Sequence, residues 1–219
     1  KRVVLHIGRH KSGTSSIQTS LAFNTKKLSN SGFLYPISFR GRHVAHHKLA
    51  ALLNPKKTEK PDIEVAYNLI MQEKCDHHHT LIFSSEAFQK ISDLSFLGIF
   101  LKLFNEASID IIVYFREYLD YAMSSYRQAI HAQSKFITFS NYIKHRFKDS
   151  APFIQRWSKV GDLHSRWFHK SLLKEGDVVV DFCDQIGINL SDLDLNAKYK
   201  SQNPSIGGEH FLSIIFIGT

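Results

Sequence analysis

A lysine, two glycines and a run of hydroxyl side chains follow the first apolar segment of the chain. Residues 3–7 are apolar apart from His6, and after Gly8 the chain reads Lys11-Ser12-Gly13-Thr14-Ser15-Ser16. A strand that turns directly into a helix leaves the first helical N–H groups without partners, at the positive end of the helix dipole. Such a turn binds anions, and a nearby lysine adds a full positive charge. The segment therefore predicts a phosphate-binding loop.

The order of residues separates this loop from that of nucleotide hydrolases. A nucleotide-hydrolysing loop carries its lysine directly after the second glycine, where the lysine reaches the terminal phosphates. Here Gly8 and Gly13 have the required spacing, but Thr14 follows Gly13 and Lys11 lies two residues before it. The sequence thus disfavours an ATP or GTP hydrolase, and a turn without any ligand is the plainest alternative.

The segment Lys-Ser-Gly-Thr-Ser after a strand resembles the 5′-phosphosulfate loop of sulfotransferases that use 3′-phosphoadenylyl sulfate (PAPS). The stretch from His6 to Gln18 is similar to a bacterial-type branch of that family. The resemblance implies that the backbone amides of Ser12, Gly13, Thr14, Ser15 and Ser16 and the hydroxyls of Thr14, Ser15 and Ser16 hold the 5′-phosphate. It implies that Lys11 stabilises the charge that builds on the leaving bridging oxygen. The implied cofactor is PAPS, with adenosine 3′,5′-bisphosphate as product, and no metal is required.

Arg116 follows a second apolar strand at residues 109–115, and Ser124 comes two helical turns later. An arginine at the carboxyl end of a parallel strand points into the crevice where α/β sheets bind ligands, and its planar fork suits a phosphate. Arg116 and Ser124 resemble the Arg…Ser pair that binds the 3′-phosphate in sulfotransferases. The family also often closes this site with a late basic loop, for which Lys198 or Lys200 is the candidate.

A carboxylate and two histidines compete for the role of general base. The apolar strand at residues 80–84 leads to Glu86, so Glu86 is expected at the same sheet edge as the phosphate loop. By resemblance, Glu86 matches the position where heparan-type and bacterial carbohydrate sulfotransferases carry a glutamate base. His46 and His47 precede a predicted helix and are the alternative bases, because histidine needs little tuning near neutral pH and cytosolic sulfotransferases use one.

Length, composition and charge restrict the class of protein. The 219 residues predict one domain, a single sulfotransferase-like domain over residues 1–219, and 43% apolar with 22% charged residues is typical of a globular chain. The formal net charge of +8 favours polyanionic partners, but no nucleic-acid-binding module is recognised in the sequence. We expect a small-molecule or glycan acceptor and no nucleic acid, and the oligomeric state stays open.

The cysteine count and the longest apolar run bear on location. Two cysteines are too few for a disulfide framework, which favours a reducing compartment. The longest apolar run, residues 96–104, is interrupted by Lys102 and is far shorter than a bilayer span, so no membrane insertion is expected. The expected location is the cytoplasm, with a trimmed N-terminal signal or anchor left open because the chain begins at Lys1.

Short β-branched runs alternate with longer amphipathic segments, which is typical of a parallel sheet covered by helices. The predicted fold is α/β, with a three-layer, P-loop-like parallel β-sheet of about five strands flanked by helices. The predicted strands cover residues 2–7, 32–35, 80–84, 109–115 and 163–168. The predicted helices cover residues 14–28, 47–53, 63–75, 94–104, 117–133, 142–147, 153–160, 177–186 and 211–217.

The function expected from these features is transfer of a sulfuryl group from PAPS to a hydroxyl acceptor, on a carbohydrate or glycoconjugate. The transfer is in line, with Glu86 as base and Lys11 on the leaving phosphate. Two alternatives stay open: a P-loop kinase of small molecules that uses ATP and Mg²⁺, and an inactive protein that binds a nucleotide or a glycan without turnover.

Overall fold

The computed structural model describes residues 1–9, 11–40, 44–56, 60–132, 138–144 and 150–194. Its centre is a five-stranded sheet in the order β2-β3-β1-β4-β5, in which every neighbouring pair is parallel. The strands are β1 (Arg2–His6), β2 (Phe33–Leu34), β3 (Thr80–Ser84), β4 (Ser108–Phe115) and β5 (Asp162–Trp167). This confirms the predicted α/β fold with a parallel sheet flanked by helices.

Helices follow or precede each strand of the sheet. They are α1 (Thr14–Phe23), α2 (Thr25–Asn30), α3 (His47–Leu52), α4 (Ile63–Met71), α5 (Ser95–Lys102), α6 (Tyr118–Ala132), α7 (Phe139–Ile143), α8 (Ala151–Trp157) and α9 (Val178–Ile186). Within the described ranges, no helix has both the length and the apolarity needed to cross a bilayer. The predicted helix at 211–217 and the basic loop with Lys198 and Lys200 lie outside the described residues.

The first predicted helix, residues 14–28, is wrong as a single element. The chain ends α1 at Phe23 and starts α2 at Thr25, with Asn24 between them. Asn24 is 2% exposed, and its side-chain amide donates to the carbonyl of Asp194 while its amide oxygen accepts the Asp194 N–H at 2.7 Å. The helix breaks where the buried Asn24 amide binds the backbone of Asp194, and a local sequence pattern cannot predict a partner 170 residues away.

Two apolar clusters cover the two faces of the sheet and make it a three-layer structure. On one face, Leu5 belongs to a cluster with Phe100 of α5 and Trp157 of α8. On the other face, Val4 belongs to a cluster with Ile17 of α1 and with α9. Successive side chains of a strand point to opposite faces, so a central parallel strand must be apolar on both.

The strand order creates a crevice between the carboxyl ends of β1 and β4. After β1 the chain crosses to β2 on one side of the sheet, whereas after β4 it continues to β5 on the other side. The two connections diverge from adjacent strands, which is the arrangement that places ligand sites in open α/β sheets. The loop after β1 and Arg116 after β4 both begin at this crevice.

Candidate functional site at the carboxyl edge of the sheet

The loop between β1 and α1 has an unusual backbone. Lys11 has a φ of 67° and Gly13 a φ of 75°, both in the left-handed region. Glycine adopts this conformation freely, whereas a lysine pays about 1–2 kcal/mol for it. Left-handed residues in such turns bring successive backbone N–H groups together into a concavity that binds anions. The glycine pattern alone did not predict the conformation of Lys11.

Two hydroxyl groups hold the shape of this loop from within. Ser12 Oγ donates to the Arg9 carbonyl at 2.7 Å, and Thr14 Oγ1 donates to the same carbonyl at 3.2 Å. Thr14 packs so closely that a Cβ on Gly8 would lie 2.3 Å from its Oγ1. The Thr14 hydroxyl proton is therefore directed at the loop's own backbone in this structure, while Ser15 is exposed at the mouth.

Gly13 forms the N-cap of α1 and the floor of the loop. No side-chain hydrogen bond caps this helix. A Cβ on Gly13 would lie 2.7 Å from Phe168 Cε2 and 2.7 Å from Val178 Cγ1. The loop is thus packed directly on the segment after β5 and on the start of α9. The Ser16 N–H donates to the Gly13 carbonyl at 3.0 Å, which leaves the N–H groups of Thr14 and Ser15 as the ones at this end of α1 without a helical acceptor.

Arg116 follows the end of β4 and contacts the Lys11 loop. The sequence predicted this arginine at the carboxyl edge of the sheet. Its Nη1 donates to the Lys11 carbonyl at 3.2 Å, and its guanidinium carbon lies 5.7 Å from the centre of the Phe168 ring. Its Nε is 4.0 Å from an Asp120 carboxylate oxygen. The contact joins the two strand ends that border the crevice and places a guanidinium beside Lys11.

Ser124, the predicted partner of Arg116, lies on α6 and is partly buried. Among the hydrogen bonds formed by the described residues, none connects Ser124 with Arg116. The structure therefore brings Arg116 into contact with the Lys11 loop and leaves Ser124 on α6, which begins two residues after Arg116.

Arg9 projects from the loop toward α8. Its guanidinium carbon lies 5.0 Å from the ring centre of Phe115 and 5.2 Å from that of Phe153. Burial between these rings lowers the pKa of Arg9 below its ordinary value, which still leaves the group charged at neutral pH. The result is a cation held on aromatic faces at one side of the loop.

Glu86 begins a short 3-10 helix (Glu86–Lys90) directly after β3. Gln18, which is 4% exposed on α1, donates its side-chain N–H to Glu86 Oε2 at 3.1 Å. The helix that starts from the phosphate loop therefore reaches the carboxylate. Sequence reasoning missed Gln18, although a polar residue one turn after Thr14 on the buried face of α1 was the available signal.

His47 lies at the start of α3 and contacts the same segment. Its Nδ1 is 2.7 Å from Ser85 Oγ, and its Nε2 is 3.6 Å from Glu86 Oε1. The side chains of His47 and Glu86 are 35% and 26% exposed, so both are accessible from solvent. The structure thus brings together two of the three groups that the sequence offered as competing bases, Glu86 and His47.

His46 has a different environment from its neighbour. It is fully buried, its Nδ1 accepts the Ser84 N–H at 3.2 Å, and its Nε2 is 2.9 Å from the Pro36 carbonyl. Burial lowers its pKa to about 3, so the ring is neutral. Because the backbone occupies both ring nitrogens, neither is available to an acceptor, and His46 connects β3 to the segment after β2.

His6, the last residue of β1, lies at the carboxyl edge of the sheet, and the sequence analysis predicted no role for it. It is fully buried, with Nδ1 2.7 Å from Ser84 Oγ and its ring 5.2 Å from that of Phe182. Burial lowers its pKa to about 4. A single histidine within an apolar strand gives no sequence signal of a functional role.

A cavity of about 710 Å³ lies elsewhere, at the amino edge of the sheet. Leu101 and Phe104 line it from the α5 side, and Ile109 and Val160 line it near the starts of β4 and β5. In the part of the chain that the structure describes, no group of three His, Cys, Asp or Glu side chains is placed to hold a metal ion. The predicted site residues Lys11, Glu86 and Arg116 lie instead at the carboxyl edge.

Three segments that are far apart in the chain therefore meet at one edge: the Lys11 loop, Glu86 with His47, and Arg116. The edge combines a cluster of backbone donors, a lysine, a guanidinium and a partly exposed carboxylate, which suits binding of a multiply phosphorylated anion next to a general base. Comparison of the chain with protein-family models, with curated proteins and with solved structures finds no match in any of the three.

Proposed function

We propose that this protein transfers a sulfuryl group from PAPS to a hydroxyl group of a carbohydrate or glycoconjugate. One observation carries the proposal: the Lys11 loop is joined to Arg116 on one side and, through Gln18 of α1, to Glu86 on the other. The helix α1 and its loop thereby contact both the Arg116 guanidinium and the candidate base Glu86.

The donor half of the proposed site has two sets of positive groups. The N–H groups at the start of α1 and the Lys11 ammonium would bind the 5′-phosphosulfate, where Lys11 opposes the charge that develops on the leaving oxygen. Arg116 would bind the 3′-phosphate, because a guanidinium presents paired donors that match phosphate oxygens. These residues suit a nucleotide that carries one phosphate at the 5′ position and another at the 3′ position of its ribose.

Glu86 is the proposed base in the acceptor half. In the transfer, the bond between sulfur and the bridging phosphate oxygen breaks, a bond forms between sulfur and the acceptor oxygen, and the acceptor proton moves to Glu86. Gln18 binds one oxygen of that carboxylate and so restricts its rotation. A positioned general base contributes about 10²–10⁴-fold to a rate.

The lysine position argues against a kinase that uses ATP and Mg²⁺. A kinase loop of this class needs its lysine after the second glycine, and here Thr14 occupies that place. Lys11 instead precedes Gly13 by two residues and has a φ of 67°.

Thermal unfolding with nucleotides tests the proposal. Adenosine 3′,5′-bisphosphate at about 100 times its Kd should stabilise the protein by about 3 kcal/mol, which raises Tm by roughly 6–10 °C for a domain of this size. ATP with Mg²⁺ should produce no comparable shift. The reverse pattern would contradict the proposal and favour the kinase.

A pair of lysine variants locates the binding site. Lys11→Ala should weaken binding of adenosine 3′,5′-bisphosphate by about ten- to hundredfold, because a charged contact is lost. Lys26→Ala, on the exposed side of α2, serves as the matched control and should bind normally. Equal affinities would place the nucleotide elsewhere. Incorporation of radiolabelled sulfate into a panel of glycans and lipids then separates an enzyme from an inactive binding protein.

A further inference from the structure

Ser85, His47 and Glu86 form a consecutive chain of contacts at the end of β3. We propose that His47 is a positioning residue: Ser85 sets its tautomer so that Nε2–H faces the Glu86 carboxylate, and Glu86 alone takes the acceptor proton. This inference deepens the proposed sulfuryl transfer and rests on it for the identity of the reaction, but not for the geometry.

The hydroxyl of Ser85 determines which nitrogen of His47 carries the proton. Ser85 Oγ accepts the Ala87 N–H at 3.0 Å, because Ser85 caps the 3-10 helix. Ser85 is fully buried, and its hydroxyl has a single proton to donate. His47 Nδ1, at 2.7 Å, is in place to receive it. With Nδ1 as acceptor, the neutral ring must carry its own proton on Nε2.

The proton on Nε2 excludes His47 from the role of base. Nε2 lies 3.6 Å from Glu86 Oε1, which is beyond an ordinary hydrogen bond but close enough for electrostatic attraction to the carboxylate. A protonated nitrogen has no lone pair with which to accept a proton from an acceptor hydroxyl. The cationic ring also carries a proton on Nε2, so neither ionisation state of His47 offers a basic nitrogen on the Glu86 side.

Two side chains then orient the carboxylate from two helices. Gln18 of α1 holds Oε2 at 3.1 Å, and His47 of α3 faces Oε1. Both donors belong to helices whose starts lie at the carboxyl edge of the sheet. The orientation of a reacting group affects the rate of transfer, because a carboxylate that points away from the acceptor hydroxyl loses the near-attack geometry.

Nitrogen NMR of the substrate-free protein tests the tautomer directly. At alkaline pH, where imidazoles are neutral, His47 should show one form with the proton on Nε2. In Ser85→Ala the same ring should become a mixture of both tautomers. A proton on Nδ1 in the unmodified protein would overturn the proposal, since Nε2 would then be a free base. An unchanged pure tautomer in Ser85→Ala would remove Ser85 as its cause and also contradict the proposal.

Two substitutions of His47 test the positioning role. A glutamine places its amide N–H near the position of Nε2, whereas an alanine places nothing there. With PAPS and water as the only acceptor, release of adenosine 3′,5′-bisphosphate should fall about tenfold in His47→Ala and recover to within about threefold in His47→Gln. Equal loss in both variants would overturn the proposal, because a glutamine cannot replace a base.

A matched control and a binding measurement complete the experiment. His79 also pairs its Nδ1 with a neighbouring hydroxyl, Thr80 Oγ1 at 2.8 Å, but lies at the amino end of β3. His79→Gln should therefore leave the rate unchanged, and all three variants should bind adenosine 3′,5′-bisphosphate equally. If the unmodified protein turns over no PAPS at all, the proposed function fails, and the tautomer measurement still decides the role of Ser85 and His47.

Discussion

The loop between β1 and α1 and the segment with Glu86 lie at the same edge of the sheet but are held in place by different means. The loop depends on backbone: left-handed residues, glycines with no room for a Cβ, and hydroxyls that bind a carbonyl. Glu86 depends on side chains, namely Gln18 and His47 from two separate helices. A binding surface made of backbone N–H groups persists when most side chains change, whereas a positioned carboxylate does not. Substitutions should therefore separate nucleotide affinity from turnover.

The largest expected effect is on turnover, through Glu86→Gln. The amide keeps the shape of the side chain and an oxygen for Gln18, but it cannot take a proton. The rate of transfer from PAPS should fall by about 10²–10⁴-fold, while calorimetry should give an unchanged affinity for adenosine 3′,5′-bisphosphate.

The control for this variant is Glu64→Gln, at the exposed first turn of α4. It removes the same charge at an exposed position of α4 and should leave the rate intact. Unchanged turnover in Glu86→Gln would assign the base to a histidine and abolish the proposed division between the two halves.

The next effect is on stability and binding together, through Gly13→Ala. The new methyl group would meet Phe168 and Val178 at 2.7 Å, at a φ of +75°. Strain and overpacking together should lower the free energy of unfolding by about 2–4 kcal/mol, and the distorted loop should bind adenosine 3′,5′-bisphosphate more weakly. Urea unfolding and calorimetry measure the two quantities.

Gly98→Ala is the matched control on α5. An added Cβ there meets no atom within 4 Å, so this variant should be neutral or more stable by about 0.5–1 kcal/mol. Equal stability of the two glycine variants would show that the shape of the loop does not depend on its backbone conformation.

The smallest expected effect is a loss of stability in mild acid, caused by two buried histidines, His6 before the loop and His46 beside His47. The pKa is lowered by burial to about 4 in His6 and to about 3 in His46, and both rings bind Ser84 of β3. In the unfolded chain these rings take up protons near pH 6.5, so below that pH the unfolded state binds more protons than the native state. Their contribution to stability is complete above about pH 6.5 and is lost as the pH falls toward 4 and then 3.

Urea unfolding at two pH values measures this loss. Between pH 7.5 and pH 5.5 the free energy of unfolding should fall by about 2.7 kcal/mol, which is about 1.4 kcal/mol for each histidine. His46→Gln should reduce the slope, because one of the two titrating rings is removed. Equal stability at the two pH values would show that these histidines are not neutral in the folded protein.

The strands at the centre of the sheet were predictable because they are buried on both faces. A parallel strand in this position must be a short run of apolar residues, and β1, β3 and β4 were each predicted to within one residue at either end. The meeting of the Lys11 loop, Glu86 and Arg116 followed from the same reasoning, since the carboxyl ends of parallel strands share an edge.

The pair His46 and His47 shows where prediction from sequence stops. His46 is the N-cap of α3 and His47 its first residue, and the sequence offered each as a base. In the structure one ring is enclosed and bonded to Ser84 and Pro36, while the other lies beside Glu86. The difference depends on how α3 packs against β3, which adjacent positions in a sequence do not reveal.

Local chemistry in the chain thus determined the α/β architecture and the edge of the sheet at which the predicted site residues lie, because strand periodicity is a property of neighbouring residues. Tertiary structure alone decided the break at Asn24, the contact of Gln18 with Glu86 and the different environments of the two histidines. Each of these depends on a partner from a distant segment, and the free energy of a buried polar group is decided by whichever partner the fold brings to it.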